Sequence, residues 1–119
     1  MPLDFYCKVY INGNVNYISL AKLISVILGG EIEMRSVHGP YFTADVFVNE
    51  HANVMADPDD FVEWPLYLEI EPDDENIDPQ LYINSLASFI SALRTNGLRL
   101  VAACHFEEEL NALILNHKV

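Results

Sequence analysis

The feature that most limits how this chain can fold is a short alternating stretch held between two prolines. Leu66, Leu68 and Ile70 alternate with Tyr67, Glu69 and Glu71, the period-two pattern of a strand with one buried face and one face turned outward. The strand reading extends from Val62 through Trp64 to Pro72, with Pro65 and Pro72 marking where ladder pairing can begin and stop, because proline has no N–H to donate. A helix must follow soon after. Asp78 before Pro79 supplies an N-cap and a proline at the first helical position, Tyr82, Leu86, Phe89, Ile90 and Leu93 recur at helical spacing, and Asn96-Gly97 stops the run. Leu98 to His105 is then nearly continuous in apolar residues, as expected of an interior strand covered on one or both faces.

The N-terminal half repeats this order. Asp4 to Ile11 alternates Phe5, Cys7, Val9 and Ile11 against Tyr6, Lys8 and Tyr10, so it reads as a strand whose outer face is aromatic. Asn16 is an N-cap for a helix carrying Leu20, Leu23, Ile24 and Ile27, which Gly29-Gly30 ends. Glu31–Val37 and Tyr41–Asn49 read as two strands of a hairpin about the His38-Gly39-Pro40 turn, with Thr43, Asp45 and Phe47 sharing the outer face of the second. Glu107 to Glu109 open a short final helix with Leu110, Leu113 and Ile114 inward, and the end frays after Asn116.

Strand, helix, three strands, helix, strand and short helix imply one α+β domain over residues 1–119. The expected architecture is a two-layer sandwich: a mixed, mostly antiparallel sheet of about five strands, with two helices on one face in a ferredoxin-like β-α-β-β-β-α-β variant. The length suffices for one core without covalent staples.

Charge narrows the partner. The net charge is −12, from 18 acids and 6 bases, which argues against nucleic acid or an anionic membrane as partner and for a basic protein. Between Ser36 and Leu93 there are twelve acids and no Lys or Arg, so the whole excess lies in the middle of the chain. Two loops there are acidic, one with Asp57, Asp59 and Asp60 and one with Asp73 and Asp74. Neither has the ligand order of an EF-hand, so no metal is expected.

No catalytic chemistry stands out. His105 and Glu107 have the His-x-Glu spacing of zinc deaminases, but the cysteine pair that this chemistry needs is missing, since the chain has only Cys7 and Cys104. Adjacent strand residues point to opposite faces, so Cys104 and His105 do not read as a nucleophile and its base. His38, His51 and His117 have no ligand spacing. No phosphate loop, nucleophile elbow or zincin motif occurs, so neither a catalytic residue nor a cofactor is expected. Both cysteines sit among apolar neighbours and read as reduced core thiols rather than a disulfide. With no leader pattern and no apolar run of roughly 20 residues, the expected location is cytoplasmic.

The outer sheet face remains. Tyr6, Lys8, Tyr10, Phe47, Tyr67, Glu69 and Glu71 project from it if the helices cover the other side, and aromatic residues ringed by charge are what interfaces concentrate. The alternative is that the C-terminal segment folds over this face.

Trp64-Pro65-x-Tyr67-Leu68-Glu69-Ile70-Glu71-Pro72, the helix from Tyr82 to Leu93, and Val101-Ala102-Ala103-Cys104-x-Phe106-Glu107-x-Glu109-Leu110 together resemble a pattern of small bacterial proteins. Several of these are similar to immunity proteins of contact-dependent inhibition and other polymorphic toxin systems. The resemblance covers the C-terminal half. It implies a non-enzymatic protein that binds and neutralises a cognate toxin domain, with a nuclease as the class whose basic surface suits an acidic inhibitor. On this reading the partner-binding residues are Asp57, Asp59, Asp60, Trp64, Tyr67, Glu69, Glu71, Asp73 and Asp74. Two other classes stay open: a small enzyme or ligand-binding domain using Glu69 and Glu71, and a homodimeric regulatory or structural module pairing through a sheet edge.

Overall fold

A computed structural model describes residues 5–53, 55 and 57–116. The expected strand start at Asp4, His117 and the chain end beyond Asn116 lie outside the described residues. The elements in chain order are β1 (Cys7–Asn12), α1 (Tyr17–Leu28), β2 (Ile32–Glu33), β3 (Ser36–His38), β4 (Phe42–Val48), β5 (Leu66–Pro72), α2 (Pro79–Thr95), β6 (Arg99–Cys104) and α3 (Glu107–Asn116). A single 3-10 turn, Phe61–Glu63, precedes β5.

The six strands form one sheet in the order β2-β3-β4-β5-β1-β6. The four long strands, β4-β5-β1-β6, together with α1 and α2, have the split βαβ arrangement of ferredoxin-like folds, and the short β2–β3 hairpin is added beyond β4. The structure is therefore a two-layer α+β sandwich. Every neighbouring pair is antiparallel, in place of the mixed sheet expected. The reason is insertion: β1 lies between β5 and β6, so the two strands joined by α2 run parallel without touching.

Three sequence readings change. The run from Glu31 to Val37 is two strands, because the chain turns at Met34, whose φ of 58° breaks the ladder and sets Glu33 opposite Ser36. Val62 to Trp64 is not strand, since the 3-10 turn takes up those residues before the ladder starts at Leu66. The apolar run of β6 is an edge strand and not an interior one: it pairs only with β1. Its alternate residues still find cover, Leu100 and Ala102 in the core and Val101 opposite Tyr10 on the other face.

The helices begin and end where local chemistry dictates. Asn16 accepts from the Ser19 backbone N–H at 2.8 Å while the Ser19 hydroxyl accepts from the Asn16 N–H at 3.0 Å, a reciprocal cap. Gly29 closes α1 in the left-handed region, at φ 68°. Asp78 caps α2, whose buried residues include all of Tyr82, Leu86, Phe89, Ile90 and Leu93. These pack on Cys7, Val9, Ile11, Ala44, Val46, Leu66, Leu68 and Ile70, the strand residues of one sheet face only. α3 joins the same side, with Phe106, Leu110 and Ile114 in that core and the Phe106 ring 5.9 Å from Tyr82. The opposite sheet face is thus left uncovered by the C-terminal helix.

Candidate protein-binding face

Alternation in β1, β4 and β5 sends every second side chain to the face away from the helices, and the register decides which of them meet. Phe47, Tyr67 and Tyr10 are directly opposite one another across the three strands and form an aromatic row. Phe47 stacks on Tyr67 with ring centres 5.1 Å apart at 14°, and Tyr10 lies 6.3 Å from Tyr67. Phe61, from the 3-10 turn, closes the row 5.2 Å from Tyr10. Two bases rest on these rings: Lys8 Nζ is 4.3 Å from the centre of Tyr67 and 4.9 Å from Tyr10, and the Arg35 guanidinium carbon is 5.0 Å from Phe47. Such contacts are worth about 0.5–1 kcal/mol each at an exposed site.

Next to the aromatic row the face turns acidic. Asp45 is directly opposite Glu69, and Thr43 is opposite Glu71. Like charges facing each other across a ladder are destabilising, and the Asp45–Glu69 pair is offset in part by Lys8, directly opposite Glu69 on its other side. Each carboxylate is also held by a hydroxyl. Tyr6 donates to Glu69 Oε1 at 2.7 Å, Thr43 donates to Asp73 Oδ1 at 2.6 Å, and Ser36 donates to Asp45 Oδ1. Burial, and then the bond to Glu69, push the Tyr6 phenol far above its ordinary pKa, which keeps it a donor. These groups, with Glu71, line a depression of about 560 Å³. Among the described residues, no basic side chain lies within ion-pair distance of Asp45, Glu69, Glu71 or Asp73.

The segment between β4 and β5 forms a compact lobe. Asn49 is buried, and its amide donates to the carbonyls of Val62 at 2.9 Å and Trp64 at 2.7 Å while its oxygen accepts from the His51 N–H at 3.0 Å. Trp64 is only 5% exposed, and its indole N–H donates to the Pro58 carbonyl at 2.9 Å. Arg99 from β6 covers the indole at 5.0 Å and reaches Pro58 O at 3.3 Å and Asp59 Oδ1 at 3.1 Å.

This splits the expected site in two. Tyr67, Glu69, Glu71 and Asp73 converge on the open face, with Asp74 exposed just beyond. Asp57, Asp59, Asp60 and Trp64 lie at the other end of β5, whose seven residues span about 20 Å. Trp64 is nearly buried as the internal anchor of the lobe, and only its edge reaches a depression that it lines with Asp57 and Asp60. Asp59 is already paired with Arg99. Tyr6, Asp45 and Thr43 are additions, of which Asp45 and Thr43 share the outer face of β4 by alternation and meet Glu69 and Glu71 only through strand order.

Among the described residues no three His, Cys, Asp or Glu side chains converge as metal ligands, and no helix is long and apolar enough to cross a membrane. Comparisons with family models, curated proteins and solved structures found no match.

Proposed function

We propose that this chain is a non-enzymatic acidic binding protein that occupies a basic surface of a protein partner, in the manner of an immunity protein that neutralises a cognate toxin domain of the nuclease class. One observation carries the reading: a concave sheet face gathers Asp45, Glu69, Glu71 and Asp73 beside an aromatic row, and among the described residues none of the four is in an ion pair, although Lys8 is directly opposite Glu69 and leans over the Tyr67 ring. The excess of carboxylates over Lys8 and Arg35 on this face raises the local negative potential, which speeds encounter with a cationic surface, while aromatic side chains supply contact area at low entropic cost. The hydroxyls of Tyr6 and Thr43 hold two of the carboxylates in place, so less ordering is left to be done on binding. Cytoplasmic residence belongs to the same proposal.

The test is binding of the purified chain to the toxin domain encoded beside its gene, by calorimetry and by relief of toxicity on co-expression. A saturable complex in which toxicity is relieved is expected. A neighbouring gene that encodes no toxin, or a toxin domain that this chain does not bind, would overturn the reading.

A second reading is favoured by the concavity itself. A depression of about 560 Å³ is within the size range of small-ligand sites, and its carboxylates and hydroxyls suit a small organic cation such as a polyamine. Calorimetry with spermidine distinguishes the two: micromolar binding that survives physiological salt supports a small-molecule site.

A further inference from the structure

We propose that Cys7 and Cys104 are an oxidisable pair that closes into a reversible cross-strand disulfide, fastening the edge strand β6 to its neighbour β1. The register sets the two residues directly opposite each other on β1 and β6. Directly opposed residues of an antiparallel pair point to the same face with Cα atoms about 4.5–5.5 Å apart, inside the window of about 4.4–6.8 Å that a disulfide spans. Both are reduced in the structure, and they are within hydrogen-bonding contact of each other.

Their surroundings assign the order of events. Cys7 is fully buried, and the contact with the Cys104 thiol, burial and the nearby Glu107 carboxylate all hold its proton on. Cys104 is only partly buried, at the end of β6, so it is the thiol that meets an oxidant. With a small disulfide such as oxidised glutathione, the Cys104 thiolate attacks one sulfur, forming a mixed disulfide and releasing one reduced glutathione. Cys7 then gives up its proton and attacks the Cys104 sulfur, forming the protein disulfide and expelling the second glutathione. Two protein thiols are oxidised and one glutathione disulfide is reduced to two thiols.

The consequence is local. Among the described residues β6 is held in the sheet by β1 alone, and α3 follows it directly, so a covalent link at Cys7–Cys104 ties the last two elements of the fold to β1. This inference is independent of the partner proposed above.

The experiment incubates the reduced, folded full chain with oxidised glutathione, quenches with acid and maps thiols by mass spectrometry. The expected product is a monomer lighter by two hydrogen atoms, with Cys7 linked to Cys104 and restored by dithiothreitol. Cys7→Ala is expected to stop at a stable glutathione adduct on Cys104, and Cys104→Ser to leave Cys7 unreacted. Hydrogen exchange at the β6 amides should slow by about tenfold or more in the oxidised form. A wild type that stays reduced, stops at the Cys104 adduct, forms only dimers, or closes the bond only in denaturant overturns the proposal. Unchanged exchange in β6 overturns the fastening.

Discussion

Asn49 is the polar side chain on which the lobe between β4 and β5 depends, and its replacement gives a prediction that can be worked from the geometry. Its amide satisfies the carbonyls of Val62 and Trp64, and its oxygen satisfies the His51 N–H. In Asn49→Ala the buried Trp64 carbonyl loses a partner, at about 1–3 kcal/mol, and two partly buried bonds are lost at about 1 kcal/mol each. The expected destabilisation is therefore about 3–5 kcal/mol, a large share of the 5–15 kcal/mol that holds a typical domain together. Asn49→Asp keeps the shape and the acceptor for His51 but turns a carboxylate towards two carbonyl oxygens, so it should cost at least as much as alanine. Urea unfolding followed by the fluorescence of Trp64, the single tryptophan of the chain, reads both the midpoint and the lobe. A loss below about 1 kcal/mol for Asn49→Ala would refute the reasoning, because it would mean that these bonds contribute no more than an exposed contact.

Three further outcomes follow from particular contacts. A Cβ on Gly30 would run into the backbone carbonyl of His38, so Gly30→Ala should cost more than about 2 kcal/mol in denaturant unfolding. Arg99→Ala uncovers the Trp64 indole and frees the Pro58–Asp59 turn, so emission should shift to the red with a stability loss of roughly 1 kcal/mol or less. Tyr6 keeps its proton in the folded state above the pH at which an unfolded tyrosine loses it. Its contribution is therefore fully present below pH of about 10 and is lost as pH rises beyond that. Tyr6→Phe should flatten the alkaline decline in melting temperature.

Alternation was enough to place Tyr67, Glu69 and Glu71 on one outer face and Leu66, Leu68 and Ile70 in the core, and cap chemistry at Asn16 and Asp78 was enough to start both long helices. These are local rules acting within a few residues. What stayed hidden depends on which strands lie side by side. Asp45 faces Glu69, and Cys7 faces Cys104, only because β5 sits between β4 and β1 and β6 adds outside β1. The apolar content of β6 suggested an interior strand because its edge position leaves no mark on side-chain pattern. Trp64 looked like a surface anchor beside acids, yet its burial follows from a turn carbonyl at Pro58 and a guanidinium from Arg99, distant in sequence.

The most direct test of an acidic sheet face as the binding surface is stopped-flow association with the toxin domain encoded beside the gene. The wild type is compared with the combined variant Asp45→Asn, Glu69→Gln, Glu71→Gln and Asp73→Asn, whose fold is first checked by Trp64 emission. Exposed charges are screened beyond a Debye length of about 8 Å at physiological salt, so the wild-type rate should fall steeply as salt rises. The variant should associate about tenfold more slowly at low salt and respond to salt more weakly. A variant that associates at the wild-type rate with the same salt dependence would contradict the account.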